Sequence, residues 1–185
     1  MQLDVETFLR LVENAGTLGF VDIEANGLRG DYNSTLVVSV KPFNKKPISI
    51  VVAQPGNDQR VVREAKELLE TFDCWVTYYG KGFDLPFLNT RLTKWGMHPI
   101  AKRPHIDMYF TLKSNLLTAR RSQGHLLTWL GTAEQKMGVS ASVWSECSAE
   151  PEKNLKILKA RCESDVEGLE ALYKKTRHLI LEIKR

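Results

Sequence analysis

Cysteine is scarce in this chain: Cys74, Cys147 and Cys162 are the three among 185 residues. They form no CxxC pair and no zinc-type set with histidine, and an odd count argues against a disulfide framework. A reducing, intracellular and cytoplasmic setting is therefore expected. Long apolar runs are also missing. No uninterrupted segment approaches the ~18 residues a spanning helix needs, and the first residues lack the basic-then-apolar pattern of an export signal. No membrane role is expected. Low-complexity tracts and internal repeats are absent, and 43% hydrophobic residues suffice for a sizeable core, so residues 1–185 are expected to form one domain. A large excess of either sign of charge is missing as well. The formal net charge of +4 suits a polyanionic partner without identifying one.

What the chain does have is a mixed α/β order. Apolar residues at Val5, Phe8, Leu9 and Val12 follow helical spacing, and Gly16 stops that helix. Leu18–Ile23, Thr35–Val40 and Ile48–Ala53 are rich in β-branched residues and separated by turn-forming clusters, which predicts three consecutive antiparallel strands. Val61–Phe72 reads as a helix and Cys74–Tyr79 as a fourth strand, placed parallel to the first by that crossover. Leu85–Trp95 is a further helix ended by Gly96, and His105–Tyr109 a short fifth strand. Beyond it the pattern predicts helix over His125–Met137, stopped by Gly138, and from about Cys162 to Ile183. The expected fold class is α/β, a mixed five-stranded sheet flanked by helices, with three antiparallel strands followed by parallel ones.

Within this frame four acids stand out: Asp22 and Glu24 in GFVDIEANGL, Asp84 in YYGKGFDLPFL, and Asp165 in RCESDVEGL. Alternation along a strand puts positions 22 and 24 on one side of the backbone. Clustered carboxylates repel unless cations compensate them, and hard divalent ions such as Mg²⁺ or Mn²⁺ prefer oxygen ligands. Taken singly, each acid reads as an ordinary surface or capping residue. Their joint occurrence points instead to a two-metal site for phosphoryl transfer.

The three segments resemble the Exo I, Exo II and Exo III motifs of the DEDD superfamily of 3′–5′ exonucleases, which have a ribonuclease H-like fold. Asp22-Ile23-Glu24 followed by Gly27-Leu28 is similar to DIETTGL. Thr77 to Leu88 resembles TYNGxxFDxPxL with Tyr79 in place of Asn, a form close to stand-alone ribonuclease H-like exonucleases and to the proofreading domains of family B polymerases. His105-Ile106-Asp107 looks like the hID segment of such proteins, and His125 through Val139 their sHxLxxLaxxLGv helix.

The resemblance implies a hydrolase of phosphodiester bonds that releases nucleotides from the 3′ end of single-stranded DNA or RNA, with DNA slightly favoured. It implies two divalent cations, Mg²⁺ or Mn²⁺, held by Asp22, Glu24, Asp84 and Asp165, one activating water and the other stabilising the leaving 3′ oxygen. Leu28 is similar to the apolar wedge against the terminal base, and Phe83 would lie beside it. A polymerase or a replication or repair protein is the partner class implied. Asp107 is expected to be structural or to lie near the site without ligating.

One departure matters. Where the family has a His five residues before the last Asp, or a Tyr four before it, this chain has Ala160 and Arg161. Arginine stays protonated and cannot serve as a general base. Arg161 shares a helical face with Asp165, so it contacts either the scissile phosphate or Asp165 itself. A slower nuclease, one with a base from elsewhere such as His125, and a catalytically weak nucleic-acid-binding or polymerase-associated subunit all remain open. Among basic residues, Lys81, Arg91, Lys94, Lys102 and Arg103, and above all Arg120 and Arg121, are candidates for the path of the strand.

Overall fold

The computed structural model describes residues 4–135 and 137–183. Its first helix, α1 (Val5–Ala15), begins where the Asp4 carboxylate accepts the Thr7 amide at 2.9 Å and ends at Gly16, whose φ of 70° lies in the left-handed region. Three strands follow as an antiparallel meander: β1 (Leu18–Ala25), β2 (Thr35–Pro42) and β3 (Ile48–Val51). Helix α2 (Gln59–Leu69) then crosses over to β4 (Cys74–Thr77), which runs parallel to β1 with Leu18 opposite Cys74. After α3 (Asp84–Lys94), β5 (His105–Asp107) adds in parallel beside β4. The sheet order is β3-β2-β1-β4-β5, which is the expected arrangement.

The remaining α-helices among the described residues are α4 (Met108–Asn115), α5 (Gln123–Trp129), α6 (Ser142–Ser145) and α7 (Pro151–Thr176). Two apolar clusters cover the two faces of the sheet. Val21 and Ile23 of β1 share a cluster with α2 and α3, whereas Leu18 and Phe20 share one with α1, α4, α5 and the second half of α7, and α7 lies on the same face of β1 as Asp22 and Glu24. This is the period-two alternation of a strand buried on both sides. It leaves Asp22 and Glu24 as the continuation of the Leu18–Phe20 face. Among the described residues no helix is long and apolar enough to cross a membrane.

Several boundaries differ from those expected, the last helix ending at Thr176 and not Ile183 among them, and three of the differences have a clear local cause. The helix predicted over His125–Met137 ends at Trp129, because Gly131 adopts φ 61° and the Thr132 amide closes back on the Leu127 carbonyl at 3.1 Å. Gly131, not Gly138, is thus the stop. Lys136, inside that predicted helix, lies outside the described residues. The last helix begins at Pro151, earlier than the expected Cys162, since proline fits a first turn and lacks the amide that would go unpaired there. The fifth strand stops at Asp107, not Tyr109. The Asp107 carboxylate accepts the Tyr109 amide at 3.1 Å and so starts α4, an element not anticipated.

Candidate metal and nuclease site

The carboxylates of Asp22, Glu24 and Asp165 come together where β1 meets α7. One ligand oxygen from each lies within 4.8 Å of the others. The strand supplies two of them on one face, and its pairing with β2 shifts register just after Glu24, where the chain turns away into the 26–34 loop. Asp165 arrives from the middle of α7, docked by α5: Gln123 Nε2 donates to the Asp165 carbonyl at 2.7 Å. Gly168 permits this approach, since a Cβ there would meet Leu127 Cδ1 at 2.8 Å.

Asp84 begins α3 and is 4% exposed. Its carboxyl falls outside the group of three, next to Glu24 and Asp107 in electrostatic terms. Burial pushes it up to about 7, with the charges of Asp107 and Glu24 adding to that and the amides of Asp84 and Ile23 opposing it. Asp107 itself is occupied by backbone. It accepts the amides of Tyr79 at 3.0 Å and Lys81 at 2.9 Å, so it shapes the connection that delivers Asp84. This agrees with the structural part expected of it. His105, also in β5, is neutral, because burial lowers it to about 3, and it shares a 2.8 Å hydrogen bond with Thr77 Oγ1.

Arg161 takes a place that the sequence left between two options. Its Nε donates to Glu24 Oε1 at 2.7 Å, its Nη1 to the Met137 carbonyl at 2.7 Å, and its Nη2 stands 3.7 Å from Asp165 Oδ2. The closest carboxylate partner is thus Glu24 on the neighbouring strand. Trp144 of α6 completes the arrangement: its Nε1 donates to Glu24 Oε2 at 2.8 Å, and the Arg161 guanidinium lies 5.1 Å from its ring centroid. Both oxygens of Glu24 therefore have protein donors. Burial still raises its carboxyl above the ordinary range, and Arg161 and Trp144 only partly offset that. Cys162 Sγ lies 3.3 Å from Asp22 Oδ2, and burial together with the Asp22 charge keeps it a thiol.

The other expected residues are distributed as follows. Leu28 is 81% exposed on the 26–34 loop, whereas Phe83 is half-buried against Phe87, with ring centroids 5.4 Å apart. Arg120 and Arg121 are exposed on the segment before α5. His125, in the first turn of α5, donates its amide to Ser122 Oγ at 3.4 Å and is not part of the acidic group. Arg91 requires correction. It is 1% exposed and makes a two-point pair with Asp58 at 2.9 and 2.8 Å, so it cannot line a path for the strand. Its Nη1 also donates to the Gly30 carbonyl at 3.0 Å, which ties the loop carrying Leu28 to α3. Sequence reasoning missed Trp144, because a lone indole in a polar stretch carries no periodic signal.

An antiparallel meander continued by parallel strands, with carboxylates at the end of the first strand, defines a ribonuclease H-like class of protein. The chain belongs to the RNase_H_2 family of the RNase_H superfamily, whose family model matches residues 19–177. Among solved structures it is similar to the family B DNA polymerase of the hyperthermophilic archaeon Pyrobaculum calidifontis, at a TM-score of 0.66 and 16% identity. That match covers 86% of this chain and 24% of the polymerase chain, so this chain spans about a quarter of its neighbour. No curated protein matches. Membership of this superfamily supports a nuclease.

Proposed function

We propose that this chain is a DEDD-type 3′–5′ exonuclease that hydrolyses single-stranded nucleic acid, with Asp22, Glu24, Asp84 and Asp165 as its metal-binding and catalytic acids. The observation that carries the reading is the meeting of Asp22, Glu24 and Asp165 within 4.8 Å. Oxygen donors at that spacing, largely buried, suit a hard divalent cation such as Mg²⁺ or Mn²⁺. Bound there, divalent cations would supply a more acidic water and neutralise charge developing on the phosphate. The protein's own part is positioning. β1 fixes two carboxylates, α7 the third, and the Asp107-braced connection holds Asp84 at the start of α3. The exposure of Leu28, on a loop anchored by Arg91, supports a wedge role against a terminal base, with half-buried Phe83 contributing to the same pocket. Arg120 and Arg121 are free to meet phosphates.

The second reading, a catalytically weak nucleic-acid-binding subunit, is favoured by one observation. Arg161 stands on Glu24 at 2.7 Å and supplies a positive charge where a metal ligand is required. Degradation of 3′-labelled and 5′-labelled DNA and RNA oligonucleotides in Mn²⁺, Mg²⁺ or EDTA separates the two. A metal-dependent ladder that shortens from the 3′ end and disappears in Asp22→Ala supports the exonuclease. Binding without cleavage in any metal overturns it in favour of the subunit.

A further inference from the structure

The ends of β4 and β5 carry aromatic rings that the acidic site does not use. Tyr78 and Tyr79 directly follow β4, and Tyr109 and Phe110 lie in the first turn of α4, directly after β5. The Tyr79 ring stands 5.0 Å from that of Tyr109 and 5.8 Å from that of Phe110, and Tyr109 meets Phe110 at 5.2 Å. Tyr78 is half-buried and its hydroxyl donates to the Arg121 carbonyl, so it serves as an anchor. The outer rings are different: Tyr79 is 46% exposed and Phe110 42%. A cluster formed only to bury apolar surface would not leave two of its rings this exposed.

The backbone adds an independent sign. Tyr79 has φ 68°, a left-handed conformation that bulky residues rarely adopt and that Asn, the residue of the resembled motif, tolerates. Its ring also requires a bare neighbour, for a Cβ on Gly82 would come within 2.5 Å of it. Asp107 then locks the turn through the Tyr79 and Lys81 amides. An unfavourable conformation, a glycine and the carboxylate that also braces the path to Asp84 together fix where this partly exposed ring stands. Strain of that kind points towards a role at a surface.

Charge and position identify the occupant. Lys81 is exposed beside Tyr79, and Lys113 Nζ lies 6.0 Å from the Tyr109 ring centroid. A groove of about 830 Å³ runs past Lys81, Phe110 and Lys113, with Glu182 on its wall. Partly exposed aromatic rings with ammonium groups nearby fit unpaired bases on a phosphate backbone, whereas a duplex hides its base faces. The rings also lie beyond the carboxyl ends of β4 and β5, on the same edge of the sheet as the acids at the end of β1. Five Cα-to-Cα steps join Tyr79 to Asp84, a reach of at most about 18 Å.

We propose that Tyr79 and Phe110, flanked by Lys81 and Lys113, form a stacking platform for unpaired bases of a single strand upstream of the end held at the acids. The link to strand cleavage rests on the exonuclease reading; the binding itself does not. The test is fluorescence anisotropy with 5′-fluorescein oligothymidylates of graded length, in EDTA so that no strand is cut. The expected result is affinity that rises with length, falls about 5- to 150-fold per stack removed in Tyr79→Asn and Phe110→Ala, and is weak for blunt duplex. Tyr79→Asn is expected to melt at or above the wild-type temperature, because Asn tolerates the backbone angle, so lost affinity cannot be ascribed to misfolding.

Unchanged affinity of the double variant for long strands overturns the platform, as does equal binding of duplex and single strand, or no binding of the wild type to any strand. Length-dependent binding that both substitutions abolish, in a protein that shortens no oligonucleotide with any metal, leaves the platform standing and overturns the exonuclease reading alone.

Discussion

Asp84→Asn is expected to stabilise the metal-free protein, and to do so more at pH 8 than at pH 5. The carboxyl is 4% exposed and burial raises it to about 7, against an ordinary value of 3.8. A carboxyl whose folded value lies above its unfolded value is protonated in the native state while the unfolded chain is already ionised. Stability is therefore lost as pH rises from about 4 to about 7, and the loss is complete above that. Each unit of difference corresponds to about 1.4 kcal/mol, so the acid costs between about 1 and 2 kcal/mol at pH 5 and about 4 kcal/mol at pH 8. Asparagine has the same shape and no proton to lose. Urea denaturation in EDTA at the two pH values measures the difference directly through the midpoint at constant m. Added Mn²⁺ is expected to narrow the gap at pH 8, since a cation bound only by the folded state favours the ionised acid. Equal stabilisation at both pH values, or a larger effect at pH 5, would refute the reasoning.

Three further outcomes are expected. Arg161→Gln frees Glu24 from a charge-assisted bond of 2.7 Å, so Mn²⁺ affinity by calorimetry should rise about 10- to 100-fold, while the metal-free protein melts at a lower temperature. Unchanged affinity would mean that Glu24 does not meet the ion. Asp58→Ala strands the guanidinium of Arg91, which is 1% exposed, and should cost about 3–5 kcal/mol in chemical denaturation; a loss under about 1 kcal/mol would show that the pair contributes little. The three thiols are buried in the native state. Ellman's reagent should therefore react only on unfolding, and fast native labelling of any one would contradict the packing.

The sheet was legible because its strands are short, β-branched and divided by turn residues, and because a helix between the third and fourth strands dictates a parallel return. Asp22 and Glu24 were legible as a pair from the period of the strand, whereas Asp165 was placed with them by the resemblance of its segment to the third exonuclease motif and not by any spacing. Other features depend on contacts distant in sequence. Arg91 looked like one basic residue among several, and only its meeting with Asp58, 33 positions earlier, makes it part of the core. Likewise, Arg161 could not be assigned to Glu24 from helical spacing, since the two are 137 positions apart. Local competition explains the boundary errors. Asp107 can extend a strand or cap a helix, and the Tyr109 amide decides for the cap. Gly131 and Gly138 can both stop a helix, and the earlier one acts first.

The Arg161 arrangement bears on how an acidic site survives folding. A buried carboxylate without compensation costs several kcal/mol, and Glu24 has Asp22 and Asp165 for neighbours. A tyrosine at position 161 would offer a hydroxyl but no charge, which leaves the cluster dependent on ions from solution. Arginine supplies the charge from within the chain, and the Met137 carbonyl and the Trp144 ring hold its guanidinium in place. Trp144 donates to the second oxygen of Glu24, so α6 is drawn against the site by the same residue that supports the arginine. The two donors thus stabilise the metal-free cluster and oppose ligation by Glu24 through one set of bonds. Metal affinity and metal-free stability should accordingly move in opposite directions when either donor is removed. That anticorrelation separates an internal counter-cation from an arginine that merely packs beside the site, because loss of packing alone would lower both.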